Sequence, residues 1–237
     1  TDPTQPQLVE ANEQALSMNV TNLSHQESKA VYKGTNVDLR NYKNIQLFVH
    51  ANALEENTTN LTDGQLAAFV RLGSDYKNNY YEYEIPLKLT PAGVYSSGSR
   101  DEVWPEENMM NIALSLFTKL KKERNKAIAT GGASYSREYS AYDQDHPENR
   151  VSVMGNPSLG EVSTMMLGVR NLSNTQKSGE VWFNELRVKD YNNSGGWAAQ
   201  GNLNVQLSDL GTVNAQGRYI SEGFGGLEDG INTPTIL

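Results

Sequence analysis

Period-two alternation of apolar and polar residues recurs along most of this chain, and nothing else constrains its fold as tightly. "YYEYEIPLKL" sets Tyr81, Tyr83, Ile85, Leu87 and Leu89 on one side and Tyr80, Glu82, Glu84 and Lys88 on the other, the second side expected to meet water. "LSMNV" aligns Leu16, Met18 and Val20, and "QLAAFVRLG" aligns Leu66, Ala68, Val70 and Leu72. "NIQLFVHA", "RVSVMG", "VSTMMLGVRNL" and "VWFNELRV" read as further strands, separated by turn-rich loops such as "GSDYKNN". Such a chain folds as antiparallel sheet with one side of each strand turned to a shared core.

One segment departs from this period. "PEENMMNIALSLFTKLKKERNKA" has apolar residues at 109, 110, 112, 113, 116, 117 and 120, a helical spacing. Pro105 precedes it, Glu106 and Glu107 fall in its first turn, and Lys121, Lys122 and Arg124 come late, an order that suits the helix dipole. The expectation is a mainly β fold: an antiparallel β-sandwich of jelly-roll type with one amphipathic surface helix over about 106–126. "ATGGASYSREYSAYDQDHPENR" has no period and reads as a loop. The layout expected is a linker over 1–15, a sandwich over 16–191, a hairpin over 192–220 and a flexible tail over 221–237.

Composition narrows the chemistry. The 237 residues, 37% of them hydrophobic, suffice for a packed core. Net charge of -8 argues against nucleic acid, which demands a surplus of Lys and Arg. The absence of cysteine removes disulfides, thiolate metal sites and cysteine nucleophiles. No apolar run reaches the roughly 20 residues of a membrane-spanning helix. P-loop, nucleophile-elbow, H-E-x-x-H and dinucleotide fingerprints are also missing.

The candidate sites are few. Glu185 in "VWFNELRV" reads either as a hydrolase carboxylate, with Asp101, Glu102, Glu106 or Glu107 as its second acid, or as a strand residue paired with Arg187; the second reading is preferred. Asp143, Asp145 and Asn149 in "DQDHPEN" offer oxygen ligands to a structural calcium ion, but Glu148 and Met154 stand where the EF-hand pattern has Gly and Glu. His25, His50 and His146 are too scattered to make a zinc site on their own. Tyr80 and Trp104 are the rings that a carbohydrate-binding jelly roll would use for stacking, Tyr80 as the exposed one. No cofactor is expected beyond that calcium, and no catalysis.

After Tyr191 the text changes character. Trp197, Leu203, Val205 and Leu207 alternate with polar residues, a "DLG" turn follows, and Val213 and Tyr219 alternate again. Strands of this length match a transmembrane β-hairpin, with these six side chains toward lipid, or a long exposed hairpin of a soluble sheet.

"GEVWFNELRVKDYNNSGGWAAQGNLNVQLSDLGTVNAQGRY" resembles the SprA/Sov family, the giant outer-membrane translocon of the type IX secretion system and gliding motility of Bacteroidetes. "DLRNYKNIQLFVHA" and the helical segment are similar to the same region, less distinctively. The resemblance implies a fragment of a much larger β-barrel protein carrying inserted globular domains. It also implies an outer-membrane location, the domain facing the periplasm or the cell surface. The partners implied are the rest of the translocon chain, a PorV-type barrel, lipoproteins and exported cargo. A carbohydrate-binding module of a secreted or surface protein is the alternative.

Overall fold

The computed structural model describes residues 15–93, 95, 96 and 98–190, and the backbone of 203 and 204. Its strands are β1 (Leu16–Leu23), β2 (Ser28–Val37), β3 (Asn44–Asn52), β4 (Leu66–Gly73), β5 (Tyr80–Pro86), β6 (Met110–Ala113), β7 (Tyr139–Tyr142), β8 (Arg150–Met154), β9 (Val162–Asn171), β10 (Lys177–Lys189) and β11 (Leu203–Asn204). The helices are α1 (Arg100–Val103) and α2 (Ser115–Ala129), with a 3₁₀ turn at Glu106–Asn108.

All pairings are antiparallel, and they follow a folded-ribbon rule: β1 with β10, β2 with β9, β3 with β6, β4 with β5. Successive pairs alternate between two sheets, ordered β1-β10-β3-β6 and β2-β9-β4-β5-β8-β7. Rolling one long ribbon in this way makes a jelly roll. The α2–β7–β8 segment is added between β6 and β9. The expected mainly β sandwich with one principal helix is therefore the fold observed.

Alternation explains the core. Ile45, Leu47, Val49, Val181, Phe183, Ala68, Val70, Leu72, Tyr81, Tyr83, Leu167 and Val169, from both sheets, are all buried in one cluster. The second sheet is two strands wider than the first, so β8 and β7 overhang it. Helix α2 fills the gap beside β6, where the Phe117 ring stacks on Tyr81 with centroids 5.1 Å apart.

Three expectations are corrected. The helix covers 115–129 rather than 106–126, because Met110 and Ile112 sit two apart as a strand and pair with Leu47 and Ile45. At so short a range, apolar spacing does not separate a strand running into a helix from one helix. Consequently no acidic residue lies in the first turn of α2, and Lys121 and Lys122 fall in its middle. Second, the segment 129–150 contains the strand β7. Third, Tyr80, Glu82 and Glu84 do not meet water: they are 5%, 0% and 5% exposed.

A bulge shapes β10. Between Asn184 and Arg187 the strand holds Glu185 and Leu186 where β3 has only Leu47. Glu185 adopts φ +56°, and the extra residue flips the alternation, so that Val181 and Phe183 before it and Leu186 and Val188 after it all point inward. β1 begins opposite Phe183 and runs toward Lys177, and β11 takes up the same side of β10 beyond it, at Arg187 and Val188.

Candidate functional site

The outer face of the first sheet carries the most chemistry. Even-numbered residues of β3 and the first half of β10 point outward, setting His50 beside Trp182 and Phe48 beside Asn184. The loop bearing α1 is pinned above them. His50 Nδ1 lies 2.6 Å from the Val103 carbonyl, and the Thr90 hydroxyl donates to the Glu102 carbonyl at 2.9 Å. This brings Trp104 onto the face. Its ring lies 6.0 Å from His50 and 6.4 Å from Trp182, and His50 and Trp182 are 4.5 Å apart. Both indoles remain partly exposed.

Polar groups border the rings. Trp182 Nε1 donates to Glu180 Oε1 at 2.7 Å, the Ser17 hydroxyl donates to the same oxygen, and Asn52 reaches its other oxygen at 3.4 Å. Glu185 sits between Arg187 at 3.2 Å and Arg100 at 3.8 Å, and the Arg100 guanidinium lies 5.9 Å from the Phe48 ring centroid. Glu185 is thus an ion-paired strand residue at a bulge. An aromatic patch with a charged rim recognises a surface by stacking and hydrogen bonds.

The outer face of the second sheet is occupied by charges that pair with one another. Arg71 and Arg170 both bond Glu82, at 2.9 and 3.0 Å, Arg170 also bonds Glu84, and Arg150 reaches Glu84 at 3.3 Å. Burial raises the Glu82 pKa, but the Arg170 and Arg71 guanidiniums outweigh it and hold the carboxyl at about 2. The Phe69 ring supports both guanidiniums, 4.4 Å from Arg170 and 5.6 Å from Arg71. Tyr80 belongs to this layer: its ring lies 3.8 Å under Arg71 and its hydroxyl donates to Glu138 at 2.5 Å. Burial is the largest influence on that hydroxyl and pushes its pKa up. Tyr80 is therefore not the exposed stacking ring expected, and it lies on the opposite sheet from Trp104.

In the "DQDHPEN" loop, Asp143 and Asn149 converge on the Tyr83 hydroxyl. Tyr83 donates to Asp143 Oδ2 at 2.7 Å, Asn149 Nδ2 donates to Tyr83 at 3.0 Å, and Asp143 Oδ1 accepts the Asp145 N–H. Asp145 itself is exposed. Among the described residues no group of three or more His, Asp or Glu is placed to hold a metal ion. Of the hairpin candidates, Trp197, Val205, Leu207, Val213 and Tyr219 lie outside the described residues, and Leu203 is described only by its backbone pairing with Val188. No helix among the described residues is long and apolar enough to cross a membrane, which says nothing of strands.

A family model described as motility related/secretion protein, SprA_N, matches residues 1–234. The chain belongs to this SprA_N family. No curated protein matches it significantly. Membership ties the SprA_N chain to motility and secretion and, through them, to the cell envelope.

The sequence reading of this SprA_N chain missed His50, Glu180 and Trp182 as one constellation. Each is outward-facing in its own strand, and the two strands are about 130 residues apart in sequence, roughly the separation of Asn52 and Glu180. Glu180 and Trp182 two apart on one strand face were the one local signal available.

Proposed function

We propose that this chain is a structural and docking part of an outer-membrane protein-export translocon of the type IX kind that also serves gliding motility, acting through shape and contact rather than by catalysis. The observation that carries this reading is the family match over residues 1–234. The partly exposed Trp104–His50–Trp182 patch supports it, since aromatic rings rimmed by paired charges suit recognition of another protein surface. The contacting partners are further parts of the translocon chain, a PorV-type barrel, lipoproteins or exported cargo, and the location is the outer membrane.

The test is made in a bacterium that carries the gene at its native locus. Trp104→Ala with Trp182→Ala is expected to cut export of cargo into the medium at least tenfold, while the protein remains at its normal level in the envelope fraction. Normal export from a strain with residues 16–190 deleted in frame, or recovery of the protein in the cytoplasmic fraction, overturns the reading.

A carbohydrate-binding function is the second reading, favoured by two indoles 6.4 Å apart beside Glu180 and Asn52. It keeps Trp104 but not Tyr80, which is buried. Glycan-array binding that disappears in Trp104→Ala would replace the translocon reading by this one.

A further inference from the structure

A cleft of about 800 Å³ opens between the β2–β3 connection, the first half of α2 and the β8–β9 connection. Four cationic side chains line it, Arg40, Lys43, Lys121 and Lys122, and no Asp or Glu does. That is a sharp local reversal in a chain with 28 acidic and 20 basic residues. Among the described residues Arg40 alone of the four has an ion-pair partner, Asp38 at 2.6 Å. Lys43 and Lys122 extend into solvent. Lys121 Nζ donates to the Pro157 carbonyl at 2.6 Å, and its pKa is lowered by burial and then by the charge of Arg124.

Arg124 adds a fifth cation behind the wall. It is fully buried, yet among the described residues it has no carboxylate partner. Its Nη2 donates to the Gly155 carbonyl, its Nε to the side chain of Asn125, and its Nη1 has no acceptor. Asn125 is itself part of the cleft lining, so the guanidinium stands directly behind that surface. Lys43, Lys121 and Lys122, which have no ion-pair partner among the described residues, repel one another, and an anion entering the cleft relieves that repulsion.

We infer that this cleft binds an acidic peptide segment, with Asp or Glu side chains meeting Lys43, Lys121 and Lys122. Four features select a peptide over a single small anion. The volume is several times that of one carboxylate or phosphate and falls within the usual range, roughly 300–1,000 Å³, of ligand sites. The cations are spread over two separate segments rather than converging on a point. Half-buried Tyr42 and Ala113 set apolar surface between the charges, as a peptide with interspersed aliphatic residues requires, with Leu39, Leu114 and Leu159 buried beneath them. Three of the four cations are lysines, which act as point charges and do not demand the planar fork geometry of a phosphate–arginine pair.

The inference is independent of the translocon reading, because the test is a binding measurement on the purified chain. The probe is a fluorescent eight-residue peptide of Asp, Glu and Leu; its control has Asn and Gln in place of the acids. The acidic peptide is expected to bind, to weaken as salt is raised, and to bind at least tenfold more tightly than the control. Lys43→Glu with Lys122→Glu should reduce its affinity at least tenfold. Both lysines are exposed, and an unchanged thermal melt shows that the variant is folded. Absence of binding, equal binding of the control, or binding unaffected by the double substitution overturns the inference. So does displacement of the peptide by equimolar inorganic phosphate, which would make the ligand a small anion. Capture of phosphatidylglycerol vesicles without capture of the peptide overturns it as well.

Discussion

Glu82 has a completely buried carboxylate held by two guanidiniums. Replacing it with Gln leaves Arg71 and Arg170 buried without their main counter-charge, a change expected to cost about 3–5 kcal/mol by urea unfolding. Its pH dependence follows from its pKa of about 2 in the folded chain, well below the ordinary carboxylate value. A carboxyl with a depressed folded pKa stabilises fully above its unfolded value and loses that contribution as pH falls toward the folded one. Unfolding midpoints of the native chain should therefore decline between about pH 4.3 and 2, and in Glu82→Gln this part of the decline should be absent. A midpoint profile of identical shape in the two proteins would contradict the assignment. Gly168 illustrates a second residue-scale constraint. A Cβ there would lie 2.1 Å from the Phe69 ring, the platform for both arginines. Gly168→Ala must tilt that ring, and a loss of about 1–3 kcal/mol is expected in the same assay.

At the scale of elements, α2 and β10 decide how the sandwich closes. Helix α2 packs on the overhanging β8, and its Phe117 inserts against Tyr81 of the neighbouring β5. Phe117→Ala should cost about 3–5 kcal/mol, read from thermal or urea unfolding. The β10 bulge makes a different prediction. Deleting Glu185 restores simple alternation and turns Leu186 and Val188 outward, since a one-residue slip moves every later side chain to the other face. The deleted chain should be far less stable than Glu185→Gly, which keeps the bulge and suits the positive φ. Equal stability of the two would mean that the register flip is unimportant. These elements also show what the sequence alone revealed. Strict alternation in "QLAAFVRLG" and "YYEYEIPLKL" identified the buried side of β4 and β5 correctly, because the inner face of a sandwich admits only apolar side chains. The other side was misread. Tyr80, Glu82 and Glu84 look solvent-facing by composition, and only the pairing of β5 with β4, and of β4 with β9, brings Arg71 and Arg170 to them. Likewise Trp104 was identifiable as a candidate ring, but its neighbours His50 and Trp182 come from strands whose adjacency no local pattern records.

At the scale of the whole molecule, the start of β1 and the end of β10 point toward the same side of the jelly roll. β1 begins at Leu16 opposite Phe183, and β10 runs antiparallel to it and ends at Lys189. Because the bulge takes up one residue, entry and exit are separated along the sheet by five steps of β3, from Val49 to Asn44, about 17 Å at about 3.3 Å per residue. The aromatic face and the basic cleft share β3, since His50 stands on the first and Asn44 lines the second, so a partner touching both meets two marks set at a fixed spacing, as on a ruler.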